Sequence, residues 1–139
     1  RDAESDPISA VDNIRKSLQH TKLPTPSKPF GFVGGSPRVA FMIFPGTDSQ
    51  NNLVSGTLED LCLDVVRDRS TFDCVDKYLE CLQSTGHEVR WLHKTKLHSY
   101  LAGKNEFVGL KIGEAARAGA WNWDHERLKQ YRDVITAMI

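Results

Sequence analysis

Arg38-Val39-Ala40-Phe41-Met42-Ile43-Phe44-Pro45-Gly46 is the stretch on which the fold turns. Val39 to Phe44 form an unbroken apolar run with β-branched and aromatic content, which predicts a strand buried on both faces, and Pro45-Gly46 ends it. The polar Thr47 to Asn52 reads as a surface loop. Beyond it, Leu58, Leu61, Cys62, Val65 and Val66 fall at helical spacing behind Ser55-Gly56-Thr57, so an amphipathic helix follows, with Ser55 or Thr57 as its cap. Strand, loop and helix in that order point to an α/β domain with a small sheet flanked by helices.

Outward from this unit, Val11, Ile14 and Leu18 predict a short helix over Ser9 to Gln19, capped by Asp6 or Ser9. Leu23 to Pro29 holds Pro24, Pro26 and Pro29 and reads as an extended linker. The C-terminal half is helix-rich. Helices are expected from Thr71 to about Ser84, stopped by Gly86, and over Lys94 to Ala102, Gly109 to Ala118 and Asp124 to Met138. No internal repeat occurs, so residues 1–139 read as one domain.

Composition narrows the function. Eighteen Lys plus Arg balance 18 Asp plus Glu, so no global field steers the chain toward nucleic acid or an anionic membrane, and any such binding needs a local patch. The apolar run is far short of the ~20 residues that span a bilayer, and no basic region followed by an apolar stretch opens the chain. Cys62, Cys74 and Cys81 are an odd set without CxxC spacing, which favours core thiols in a reducing compartment, hence the cytoplasm.

Two constellations carry candidate chemistry. Asp2, Glu4 and Asp6 alternate along an extended segment, and crowded carboxylate oxygens suit a hard cation such as Mg²⁺, or Mn²⁺ in its place. The plain alternative is a solvated segment whose acids face a helix dipole. Glu59 and Asp60 stand in the first turn of the helix after the main strand. Capping accounts for one acid; the loops that lead into helices at the C-terminal edge of a sheet are also where functional groups collect, which makes Glu59 a candidate. Lys94, Lys96 and His98, with His93, form a basic stretch that suits a phosphate backbone or a solvated helix face. Trp121-Asn122-Trp123 reads as a loop that buries two tryptophans to anchor the last helix, or as a base-stacking surface. Asp124 and His125 are adjacent and point apart on a helix, and Gly34-Gly35 lacks the following helix start of a phosphate loop.

The order of acid pair, helix, apolar strand ending in Pro45-Gly46, and Gly56-Thr-Leu-Glu-Asp-Leu-Cys-Leu63 resembles a family of uncharacterised prokaryotic TOPRIM-like proteins. Lys111-Ile-Gly-Glu-Ala-Ala-Arg-Ala-Gly-Ala-Trp121 and Trp123-Asp-His-Glu126 are similar to that family's tail. The resemblance spans nearly the whole chain. It implies a TOPRIM-like fold in which an acidic pair and a glutamate on an earlier strand organise Mg²⁺ for phosphoryl transfer on nucleic acid or a nucleotide. Asp2 and Glu4 would match the pair, with glutamate where aspartate is commoner, and Glu59 the acid of the Gly-x-Leu-Glu-Asp motif. The glutamate of the first strand would lie upstream of Arg1, so the sequence reads as the C-terminal portion of such a domain or as a degenerate relative. The alternative function is a non-catalytic module that binds another protein through its helical half.

Overall fold

The computed structural model describes residues 1–139 and contains six α-helices and one two-stranded antiparallel sheet. The chain divides into two compact units, one of Arg1–Leu61 with Asp124–Ile139, the other of Cys62–Trp123. A mixed, helix-rich α/β architecture is what the sequence pattern called for.

In the first unit, helix α1 spans Pro7–His20. Asp6 is its N-cap, the carboxylate accepting from Ser9 N at 2.9 Å, and Pro7 stands in the first turn, where its missing N–H costs nothing. Strands β1 (Phe32–Val33) and β2 (Val39–Ala40) pair with Phe32 opposite Ala40 and Val33 opposite Val39. Past β2 the chain stays extended and takes a second partner. Arg1 N donates to the Met42 carbonyl, Phe44 N to that of Arg1 and Ala3 N to that of Phe44, a parallel bridge between Asp2 and Phe44.

Burial along this stretch alternates: Phe41 and Ile43 are buried, Met42 and Phe44 only half-buried. The expected burial on both faces therefore does not occur. Phe41 and Ile43 join Ala3, Ala10 and Val11 in the core, with Ile14, Leu18, Phe30 and Leu53 packed around it. Burying each of the two large side chains is worth roughly 1.5–3 kcal/mol. From the C-terminal end of the chain, a 3-10 turn at Glu126–Leu128 leads into α6 (Lys129–Met138). Its Tyr131 hydroxyl donates to the Ile43 carbonyl at 2.8 Å, and its ring stacks on Phe44 and meets Phe30 edge-on.

Helix α2 runs only over Leu58–Asp64. The apolar residues expected in its last turn leave the helix, because Val66 bridges Trp121, Asn122 N donates to the Val65 carbonyl and Arg67 N to that of Ala120. In the second unit α3 (Phe72–Ser84) packs on α4 (Leu92–Ala102), with Phe72 edge-on to Tyr100 at 5.3 Å between centroids. Gly86 ends α3 at φ +82°, as its place in the sequence predicts. Short α5 (Ile112–Arg117) follows, its Glu114 carboxylate accepting from Lys111 N. Only Cys62 of the three thiols is buried; Cys74 and Cys81 lie exposed on α3, which corrects their reading as core residues.

Candidate functional site

The acidic segment 1–6 is structured by its neighbours. Glu4 N donates to the Gly56 carbonyl and Gly56 N to that of Glu4, both at 2.7 Å, so the segment is clamped to the turn that starts α2. Glu4 takes φ +54°, a left-handed conformation that costs a residue with a Cβ about 1 kcal/mol and is imposed by these bonds. Asp2 Oδ1 accepts from Leu58 N at 2.9 Å, across 56 residues of sequence, and so satisfies an orphan amide at the start of α2. Thr57, expected to cap this helix as an acceptor, instead donates: its N and Oγ1 both go to Asp60 Oδ2, at 2.8 and 3.0 Å. Asp60 is thus the reciprocal half of a capping box.

The three carboxylates singled out as cation ligands share one place. Asp2, Glu4 and Asp6 line a hollow of about 120 Å³ together with Ser9 and Asn13. Glu59 follows directly after Leu58, whose amide Asp2 holds, and is the one charged side chain that is buried, at 7% exposure. Burying a carboxylate is costly enough that it calls for a hydrogen-bonded or functional setting. No set of three or more His, Cys, Asp or Glu side chains converges closely enough to hold a metal ion. Mg²⁺ does not need one: it is ordinarily bound by one or two carboxylates, with waters and substrate phosphate oxygens completing its octahedron. The donor chemistry of Asp2, Glu4 and Asp6 fits that mode, since one oxygen of Asp2 and one of Asp6 is spent on a helix amide and the other remains.

A larger polar hollow of about 440 Å³ lies in the same unit, between the loop after Gly46 and the start of α6, and sequence reading missed it. Asp48 organises its loop side. Its carboxylate accepts from Gln50 N and Asn52 N, and these hydrogen bonds, that of Asn52 first, hold it below the usual carboxylate range. Arg127 fixes the helix side by donating to the Thr47 and Pro45 carbonyls. These residues come from loop and helix segments about 80 positions apart, so no local pattern signals them.

The remaining candidates fall elsewhere. His93, Lys94, Lys96 and His98 lie on α4 of the second unit, Lys96 within 2.5 Å of Asp76. Trp121 is buried at 2% exposure but Trp123 is 48% exposed, so one tryptophan anchors the loop and not two. His125 Nδ1 accepts from Arg127 N, a capping role for the 3-10 turn. Arg38 reaches the other end of the last helix, donating to the Ala137 carbonyl.

Residues 1–139 match, over their whole length, a family described as a protein of unknown function, DUF3226. The chain belongs to the DUF3226 family. No curated protein and no solved structure is significantly similar to it. The candidate site of this DUF3226 chain is built from Asp2, Glu4 and Asp6 beside the start of α1. No helix is long and apolar enough to cross a membrane.

Proposed function

We propose that this chain is a TOPRIM-like domain that handles Mg²⁺ or Mn²⁺ at Asp2, Glu4 and Asp6 and acts in phosphoryl transfer or cleavage on nucleic acid or a nucleotide, with Glu59 as the proton-handling acid. The observation that carries the reading is the parallel pairing of residues 1–3 with 42–44. Two neighbouring parallel segments lead into helices, one at Pro7 and the other at Leu58, with Asp2 in the bridge between them and Glu4 and Asp6 just past it. In open α/β sheets the carboxyl edge is where ligands bind. A cation held there would polarise a phosphoryl oxygen and make a bound water more acidic.

The chain's own groups have defined tasks in this scheme. The amide of Leu58 orients the Asp2 carboxylate, and the paired Glu4 and Gly56 backbones fix Glu4. Pre-set carboxylates need no reorganisation when a charged ligand arrives. Glu59, buried in the first turn of α2, is the acid this scheme assigns to proton transfer.

The test is calorimetric titration with Mn²⁺ of the chain and of the Asp2→Asn/Glu4→Gln variant. Asparagine keeps an acceptor for Leu58 N while removing charge, so helix α2 stays capped. Saturable heat in the parent that vanishes in the variant is the expected result; equal heats, or none in the parent, would refute the reading. A second reading, a module that binds another protein, draws on the exposed apolar side chains Ile135 and Met138 of α6, 50% and 58% accessible. It predicts indifference to the cation in both proteins.

A further inference from the structure

The start of α4 breaks the ordinary rules of a helix N-terminus. Trp91 stands at the N-cap and supplies no side-chain hydrogen bond, and the first turn carries no acid. In place of an acid it carries Lys94, putting positive charge at the positive end of the dipole, which is unfavourable by a few tenths of a kcal/mol or more. Trp91 is also 68% exposed, the most exposed aromatic side chain among the large hydrophobics, with the Lys94 ammonium 5.8 Å from its ring centre. Leu92 beside it is 43% exposed. A local sequence that runs against its own structure marks a functional site more often than an accident.

The chain around it is rich in basic residues. From His87 to Lys104 the chain carries Arg90, Lys94, Lys96 and Lys104 against the single acid Glu88, and three of the protein's five histidines, in a molecule of zero net charge. Arg90 pairs with Glu88 at 3.4 Å, Lys96 with Asp76, and Lys104 with Asp68. The Arg90 pair is fully at the surface, with both side chains 76% exposed, and such pairs are worth little and exchange readily for a phosphate. Trp91, Lys94 and His98 follow one another at i, i+3 and i+7, so they form a stripe about 10 Å long down one face of α4. An exposed indole next in sequence to Arg90 and three residues before Lys94 fits a base stacked beside a phosphate backbone.

We infer that this stripe binds single-stranded nucleic acid, a base stacking on Trp91 while the backbone tracks Arg90, Lys94 and the amides at the start of α4. The inference deepens the proposed function by naming single strands as the substrate class, and it rests on that reading only for the link to chemistry. Binding itself needs no cation. A duplex keeps its bases stacked internally and offers no face to the indole, and a mononucleotide lacks the run of phosphates that the stripe is long enough to follow.

The test is fluorescence anisotropy in EDTA with a labelled oligothymidine of about fifteen nucleotides, followed against salt. Trp91→Ala is expected to weaken binding roughly five- to a hundredfold, and Trp91→Phe to recover most of the loss. Lys94→Gln is expected to weaken it less and to flatten the log–log salt slope by about 0.7. Trp91 is exposed, so these variants should fold, and circular dichroism checks that they do. No saturable binding at low salt, an unchanged affinity in Trp91→Ala, or equal affinity for a matched duplex or for a mononucleotide would each overturn the inference. Because EDTA removes the cation, oligonucleotide binding without Mn²⁺ heat in the separate titration would sink the catalytic reading alone, and Mn²⁺ heat without oligonucleotide binding would sink this one alone.

Discussion

Tyr131→Phe isolates one oxygen atom at the point where α6 meets the central extended segment. The ring sits between Phe30 and Phe44 at centroid distances of 5.2 and 5.3 Å, and phenylalanine keeps both contacts. What is lost is the buried hydrogen bond to the Ile43 carbonyl, which leaves that carbonyl without its donor and should cost about 1–2 kcal/mol at neutral pH. Alkaline pH gives the decisive signature. Burial raises the Tyr131 phenol above its ordinary value of 10.0, with Arg127 opposing the shift only in part. Above pH 10 the unfolded chain therefore releases the phenol proton while the folded chain keeps it. The unfolded state then binds fewer protons, so parental stability falls with rising pH, by up to about 1.4 kcal/mol per unit. The variant has no phenol and escapes that loss, whereas every other titrating group is common to both proteins. Urea unfolding followed by circular dichroism should show the gap between parent and variant at pH 7.5 shrinking to near zero by pH 11. A gap that persists or widens at pH 11 would mean that the native phenol ionises as easily as a free one, and the reasoning from burial would fail.

Gly46 stands at φ +98°, and a Cβ there would lie 2.1 Å from Gln130 Nε2 and 2.7 Å from Tyr131 Oη. Gly46→Ala should therefore destabilise by about 2 kcal/mol or more, whereas Gly86→Ala, at φ +82° with open space around it, should cost only the backbone term of about 1 kcal/mol; thermal melts of the two variants give the comparison. Asp2→Ala should lose about 0.5–2 kcal/mol by uncapping Leu58 N, while Asp2→Asn loses only a few tenths, measured by urea unfolding at pH 7. Asp68 is held down to about 2 by Lys104 first and then by the amide and hydroxyl of Ser70. Its contribution to stability is present above its unfolded value of 3.8 and is lost as pH falls through about 2, so Asp68→Asn should flatten the acid limb of a stability–pH profile in that window.

How far the sequence could be read followed the range of the interactions. Helices α1 and α3 were legible because an amphipathic stripe and the signals at its ends are local: Asp6, Pro7 and Gly86 do in the fold what their chemistry predicts. The segment from Arg38 to Phe44 was legible as extended chain, but its partners were not. One lies a few residues upstream in β1 and the other is the acidic segment itself, about 40 residues away. Helix α2 was overextended for the same reason. Val65 and Val66 sit at helical spacing from Leu58 and Leu61, yet their backbone is taken by Ala120 to Asn122, a competitor that periodicity cannot register.

The candidate site shows the same limit in sharper form. Alternating acids in Asp2 to Asp6 were visible as a pattern, and so were two readings of them, cation ligands or helix caps. The structure makes the second reading true of Asp2 and Asp6 without displacing the first, because a carboxylate that gives one oxygen to a helix amide has been oriented by it. The cap that Asp2 provides is not the local one its neighbours imply but the cap of α2, 56 residues on. That single bond ties the acidic segment to the first turn of α2, the turn that also carries Glu59, although Glu59 does not line the hollow of the three acids. If the acids served only to cap, Asp2 and Asp6 would suffice; Glu4 caps nothing in the hydrogen-bond pattern, is held in a left-handed conformation, and lines the same hollow. Glu4→Gln is accordingly the variant whose effect on Mn²⁺ binding, at unchanged stability, separates a ligand from a structural acid.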